Sequence, residues 1–175
     1  MKELAIKGRV WRYGDNIDTD VIIPGRYMGL KTLAEQLPHT MEGIDPDFAR
    51  KVKPGDILVA GRNFGCGSSR ETAATLLKEI GLSAVVAESF SRIFFRNAIN
   101  RGLLLVECKG IHAAVAEGDV LEYRSASGLV RVIGRDVELP SAALPQFLLE
   151  ILTDGGAIAH FRKKREKACV TPGRL

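Results

Sequence analysis

The residues best equipped for chemistry lie in one run, Gly61-Arg62-Asn63-Phe64-Gly65-Cys66-Gly67-Ser68-Ser69-Arg70-Glu71. An apolar stretch precedes it and a helical pattern follows it. Glycines in such a loop let backbone N–H groups converge, and a helix start adds unpaired donors and the positive end of its dipole. A place of that kind holds anions. Ser68, Ser69 and Arg70 add two hydroxyls and a guanidinium at the same spot, and an arginine grips a carboxylate through two parallel hydrogen bonds where a lysine cannot. The surroundings also suit a serine acting as a base, because helix-end amides and a neighbouring arginine favour its ionised form. A plainer reading stands beside this one: either serine could simply cap the helix, with Glu71 placed to complement the dipole.

Other phosphate- and acyl-binding loops fit less well. Gly65-Cys66-Gly67 after a strand, with Glu88 lying 21 residues beyond Gly67, imitates a dinucleotide fingerprint. The third glycine of that fingerprint would fall on Arg70, where close helix–strand packing needs a small residue, and no second nucleotide-binding half follows. No Gly-Lys-Ser/Thr closes the loop as a P-loop requires, and a G-x-S-x-G elbow is absent.

The elements around the loop follow from periodicity and breakers. Residues 7–13 read as a strand ending at Gly14, residues 15–20 as a turn, and Val21-Ile22-Ile23 as a short buried strand stopped by Pro24-Gly25. A helical turn is expected over residues 32–37, and residues 41–54 are turn-rich. Residues 56–60 form an apolar strand; Ser68/Ser69 then open a helix reaching Ile80, with Gly81 as its stop. Residues 84–87 are the next buried strand, Ser89 caps a helix closing at Gly102, and residues 103–106 are another strand. Alternating strands and helices with short joints imply a parallel sheet packed by helices. Beyond Gly110, residues 120–123 and 129–133 read as a hairpin, residues 137–139 as a further strand, and residues 145–152 as a helix. Asp154-Gly155-Gly156 breaks that helix before a last basic one. The expectation is one α/β domain over residues 1–175, with a β-rich rim.

Bulk properties agree. The chain has 175 residues, 46% of them hydrophobic, enough for one compact core. No apolar run is long enough to cross a bilayer, and Met1-Lys2-Glu3 does not read as a signal peptide, so a cytoplasmic protein is expected. A net charge of +4 is mild and suits small dicarboxylates or an acidic partner surface as well as nucleic acid. Cys66, Cys108 and Cys169 are far apart and no C-x-x-C occurs, so neither a disulfide framework nor a self-contained metal or iron–sulfur site is encoded.

Four blocks together resemble the small subunit of isopropylmalate isomerase (3-isopropylmalate dehydratase), the counterpart of the mobile fourth domain of aconitase. They are residues 14–24 (Gly-Asp-Asn-Ile-Asp-Thr-Asp-Val-Ile-Ile-Pro), residues 63–71, residues 89–100, and Glu150-Ile151-Leu152 leading to Gly155-Gly156. The resemblance implies a swivelling β/β/α fold and a large-subunit partner in a hetero-oligomer. That partner would carry a 4Fe–4S cluster with one iron open to substrate, while this chain would bind no metal. By the same resemblance Ser68 is the proton-abstracting base, Ser69 and Arg70 bind substrate oxygens, Arg26 holds a carboxylate, and Asp20 belongs to the supporting hydrogen-bond network. Turn capping is an equally good use for Asp20, and the acidic run lacks the spacing of a calcium loop. The implied reaction removes and re-adds water through an alkene, with the partner's iron as Lewis acid and small dicarboxylates as substrates.

Substrate choice in the family tracks the segment Tyr27-Met28-Gly29-Leu30-Lys31. Homoaconitase-like relatives carry an arginine where Gly29 stands, so Met28 and Leu30 facing a branched alkyl group favour isopropylmalate and leucine biosynthesis. Dimethylmalate, citramalate or methylmalate, and homoaconitate dehydratases remain alternatives, because Tyr-Met-Gly-Leu and Thr72 depart from the common pattern and Lys31 could reach inward. A non-catalytic anion-binding module is the alternative from another class. Among the remaining residues, Arg92 and Arg96 with Asn97 and Asn100 could form a docking or site-supporting face or a solvated one. Phe90, Phe94 and Phe95 read as core and Cys66 as packing. Arg162-Lys163-Lys164-Arg165 reads as a solvated helix end rather than a nucleic-acid site. His39, His112 and His160 show no ligand spacing. Neither nucleic acid nor membrane is an expected partner.

Overall fold

A computed structural model describes residues 3–170, and for helix residues 167–170 the backbone alone. Met1 and Lys2 and the Cys169 side chain therefore lie outside the described residues. Seven strands form one mixed sheet: β1 (Ala5–Arg12), β2 (Ile57–Ala60), β3 (Ala84–Ala87), β4 (Leu104–Glu107), β5 (Val120–Arg124), β6 (Leu129–Ile133) and β7 (Val137–Pro140), in the spatial order β4-β3-β2-β1-β5-β6-β7. The pairs β1–β2, β2–β3 and β3–β4 are parallel; β1–β5, β5–β6 and β6–β7 are antiparallel. β1 joins the two halves with different stretches, Val10–Arg12 to β2 and Ala5–Arg9 to β5.

Strands β2 and β3 are buried throughout, which explains their uninterrupted apolar sequence. β5 and β6 instead alternate buried and exposed positions, the pattern of a sheet half with a wetter face. The parallel-sheet core with a β-rich rim is the architecture the sequence predicts, with the rim attached through the first strand. One apolar cluster includes Trp11, Phe48, Leu58, Phe64, Leu77 and Phe94; a second includes Val10, Val59, Val86, Ile99, Leu121 and Val132.

The helices are α1 (Thr19–Ile22), α2 (Leu33–Gln36), α3 (Phe48–Lys51), α4 (Glu71–Glu79), α5 (Arg92–Arg101), α6 (Ile111–Ala114), α7 (Gln146–Thr153) and α8 (Ala157–Val170). Three expectations are corrected. Val21-Ile22-Ile23 is not a strand: Asp18 accepts the Val21 N–H at 2.8 Å and caps α1, so a polar side chain turns an apolar triplet into a helical turn. α4 begins at Glu71, not Ser68, with Arg70 at the N-cap position and no side-chain cap. α5 is capped by Ser91, whose hydroxyl accepts from Phe94 N–H, whereas Ser89 Oγ accepts the Asn63 N–H at 2.9 Å. The helical turn expected near residue 32 is present, held by a reciprocal box between Thr32 and Glu35. Among the described residues no helix is long and apolar enough to cross a membrane.

Candidate active site

The loops after β1, β2 and β3 leave the same, carboxyl-terminal edge of the parallel strands, and there they are zipped together. Gly61 N–H donates to Gly14 O at 3.1 Å, Asn16 N–H to Arg62 O at 2.8 Å, Gly65 N–H to Ile17 O at 2.7 Å and Thr19 N–H to Cys66 O at 2.9 Å. From the other side Phe64 N–H donates to Ser89 O at 3.0 Å, and the Ser91 hydroxyl donates to Gly65 O at 2.6 Å. The 61–67 loop thus lies between two others, and its backbone groups serve loop pairing before any ligand. Gly65 is required by contact as well as conformation: its φ is +74°, and a Cβ there would stand 2.2 Å from Phe94 Cγ. Phe64 and Phe94 pack edge to face at 5.2 Å beneath it, and Phe90 and Phe95 pack against the same cluster, so the aromatic group is core, as predicted.

Ser68 and Ser69 emerge from this support exposed. Ser68 N–H donates to Thr19 Oγ1 at 3.1 Å, and the two hydroxyl oxygens, Ser68 Oγ and Thr19 Oγ1, are also 3.1 Å apart. Thr19 is 1% exposed, a buried polar side chain whose hydroxyl is spent on Ser68. α4 starts at Glu71, so Ser68 lies before its first turn, and the group bonded to the serine hydroxyl is Thr19. Asn97 Nδ2 donates to Ser69 O at 3.3 Å, which gives one residue of the 92–100 face a site-supporting contact.

Arg70 pairs with Asp20 through Nη1 and Oδ1, and the same nitrogen reaches Ile23 O at 3.5 Å. Asp20 therefore belongs to a side-chain network, while turn capping is done by Asp18. Gly25 lies against this pair, its Cβ direction 3.5 Å from Asp20 Oδ1 and 3.6 Å from Arg70 Nη2, so the backbone leading into Arg26 starts beside Arg70. Arg26 itself, 62% exposed, bonds Glu42 Oε1 through Nη2 at 2.7 Å and lies over the Tyr27 ring at 4.7 Å. Tyr27 Oη donates to the same Glu42 oxygen at 2.7 Å, and His39 Nδ1 meets Glu42 Oε2 at 2.5 Å. Bonds from Tyr27, His39 and Arg26, in that order of weight, hold the Glu42 carboxyl down to about 2.

In the segment 27–31 Met28 and Gly29 are exposed and Leu30 is half-buried. The Lys31 N–H is tied to Glu35 Oε2 at 3.0 Å, and its side chain is exposed. Nothing stands within 4 Å of a Cβ built on Gly29. Thr19, His39 and Glu42 are the residues that sequence reasoning missed. Thr19 could have been suspected from its place between two aspartates, but no local signal links Glu42 to Arg26.

The described thiols give no metal site. Burial and the nearby Asp18 charge raise the Cys66 thiol, burial chiefly pushes Cys108 up to about 11, and among the described residues no three His, Cys, Asp or Glu side chains converge as a ligand set. A cluster does not fit this part of the chain. At the far end, Lys163 pairs with Asp154 at 2.5 Å, and Asp154, the residue that ends α7, also meets the buried His160 at 2.8 Å, so one member of the basic run reaches back to the carboxyl end of the preceding helix.

Residues 15–110, which contain all three site loops, match the aconitase C-terminal domain, and the chain belongs to that family. At finer grain it is 53% identical to the isopropylmalate/citramalate isomerase small subunit of Methanocaldococcus jannaschii, over 91% of this chain and 95% of that one. It is 49% identical to the methanogen homoaconitase small subunit of Methanothermobacter thermautotrophicus, covering 92% and 93% of the two chains. The crystal structure of 3-isopropylmalate dehydratase from Methanocaldococcus jannaschii superposes with a TM-score of 0.89 at 39% identity, covering 95% of this chain and 98% of that chain.

Proposed function

We propose that this chain is the small subunit of a cytoplasmic hydro-lyase that interconverts 2-isopropylmalate and 3-isopropylmalate, and that it works only with a large subunit carrying the iron–sulfur cluster. The observation that carries the reading is the exposed Ser68 hydroxyl on a rigid loop, backed by the buried Thr19 and flanked by Arg70. Ser68, Ser69, Asp20 and Arg26 are all exposed, as the reading requires of groups that meet a substrate beneath a partner subunit.

In the reaction Ser68 Oγ, as alkoxide, takes the proton from the substrate carbon next to the one bearing the hydroxyl; the C–H electron pair becomes the alkene π bond, and the hydroxyl leaves as hydroxide on the partner's side, where groups of the large subunit would hold it and supply the proton that makes it water. Ionised Ser68 can only accept, so the pair then orients one way. Thr19 O–H donates to Ser68 Oγ, while a Thr19 lone pair still accepts the Ser68 N–H. Arg70 and Ser69 bind substrate oxygens near the base, and Arg26 takes the second carboxylate. Asp20 keeps Arg70 extended toward the site. Re-addition of water to the adjacent carbon runs the same steps backward. Activation of the leaving hydroxyl belongs to the large subunit.

Half-buried Leu30 and exposed Met28 beside an uncharged Gly29 suit a branched alkyl group. Citramalate, dimethylmalate and homoaconitate are the competing substrates, and the similarity to a homoaconitase small subunit keeps the last among them. The test is reconstitution: the chain alone, and mixed with a cluster-bearing large subunit, assayed on that panel. Activity confined to the mixture, and lost in Ser68→Ala and Arg70→Lys, supports the proposal. Full turnover by the lone chain, or undiminished turnover by Ser68→Ala, would sink it.

A further inference from the structure

We infer that Glu42 is a positioning residue, which orients Arg26 and the start of the 27–31 segment for a substrate carboxylate; this rests on the proposed carboxylate-binding role of Arg26. Four side chains form a closed ring. Arg26 and Tyr27 both donate to Glu42 Oε1, His39 meets Oε2, and the Tyr27 and His39 rings stack with centroids 3.6 Å apart and planes 8° from parallel. Tyr27, His39 and Glu42 are half-buried, whereas Arg26 stands outside them and 62% exposed. The inner three therefore act as a base plate, and Arg26 is the part that meets solvent. One guanidinium nitrogen is engaged by Glu42, and Arg26 has further N–H donors to offer an incoming carboxylate.

The backbone on the Glu42 side is built to hold this arrangement. Met41, immediately before Glu42, adopts the left-handed conformation (φ +63°), rare for a bulky residue, while fully buried and donating its N–H to Ile22 O at 2.7 Å. That bond ties the Glu42 turn to α1, the helix that also presents Thr19 and Asp20. The Arg26 clamp and the Ser68 support thus share one mount. A long, exposed arginine ordinarily loses much rotamer freedom when a ligand fixes it. Here folding has already taken that loss. The ionised state of Glu42 agrees, since all three partners hold its carboxyl down to about 2.

The experiment uses the reconstituted two-subunit enzyme and steady-state kinetics on isopropylmalate with wild type, Glu42→Gln, Tyr27→Phe, Arg26→Ala and the Arg26→Ala/Glu42→Gln double variant. Glu42→Gln is expected to raise KM roughly 2- to 12-fold, the range for ordering one long side chain, with kcat moving less than KM. Tyr27→Phe keeps the ring stack, removes one donor to Glu42 and should shift KM in the same direction by less; it serves if Glu42→Gln folds poorly by thermal unfolding. In the Arg26→Ala background Glu42→Gln should add nothing. If Arg26→Ala raises KM while Glu42→Gln and Tyr27→Phe leave it unchanged or lower it, the positioning role is wrong and the carboxylate-binding role stands. If Arg26→Ala itself leaves KM unchanged, the carboxylate-binding role fails and the inference goes with it.

Discussion

Thr19→Val gives the sharpest test of the proposed base role of Ser68. Valine matches threonine in shape, and Thr19 is 1% exposed, so the substitution removes a hydroxyl without opening a cavity. Two contacts vanish, the acceptor for Ser68 N–H and the partner of Ser68 Oγ, both at 3.1 Å. The first is present whether or not Ser68 is ionised, so its loss falls on stability. A net hydrogen bond of about 0.5–1.5 kcal/mol converts to a melting-point drop of roughly 1–6 °C for a domain of this size. The second is strengthened only when Ser68 carries charge. A hydrogen bond to a charged group contributes about 1.5–3 kcal/mol, so its loss lowers the ionised fraction of Ser68, and with it kcat near neutral pH, roughly 10- to 150-fold. The assay is turnover of isopropylmalate by the reconstituted enzyme, run as a pH profile. Without the Thr19 donor the alkoxide is harder to form, so the acidic limb of kcat should move to higher pH. Thr19→Ser, which restores a hydroxyl, should recover most of the rate. Unchanged kcat in Thr19→Val, or a rate loss with an unmoved limb, would refute the reasoning.

Three further outcomes are expected. Gly65→Ala combines a left-handed backbone (φ +74°) with a Cβ 2.2 Å from Phe94 Cγ, so it should cost about 2–4 kcal/mol in a denaturant titration and reduce activity by displacing the 61–70 loop. Gly29→Arg meets open space and should leave the melting point nearly unchanged, while shifting the ratio of kcat/KM toward a substrate with one further carboxylate by roughly tenfold; an unmoved ratio removes Gly29 from the specificity segment. The Glu42 carboxyl is lowered from 4.5 to about 2 on folding, so its contribution to stability is fully present above 4.5 and disappears as pH falls toward 2. The difference in unfolding midpoint between wild type and Glu42→Gln should accordingly be largest near neutral pH and shrink across that acid window; a difference that grows as pH falls contradicts the assignment.

Much of this chain can be read without coordinates. The apolar runs at 57–60, 84–87 and 103–106 are buried throughout, and such burial in a parallel sheet leaves an uninterrupted apolar signature in sequence. The glycine loop, the two serines and Arg70 are contiguous, so their association needs no fold to create it. Errors occurred where a short-range polar contact overrode the local pattern. Asp18 turned Val21-Ile22 into a helical turn, and loop pairing by residues 61–67 postponed the α4 start to Glu71.

Sequence alone therefore marked the seven strands and the longer helices, the chemical content of the serine–arginine loop and the family the chain belongs to, because each is written in adjacent residues or in similarity that runs over most of the chain. Tertiary structure decided which groups serve that chemistry. Thr19 reaches Ser68 across 49 positions, Asp20 reaches Arg70 across 50, and Glu42 gathers Arg26 and Tyr27 from one short helical turn and His39 from another. Local propensity carries no information about such partners. They meet because parallel strands β1, β2 and β3 deliver their loops to one edge of the sheet, and packing against the shared core fixes the remaining distances.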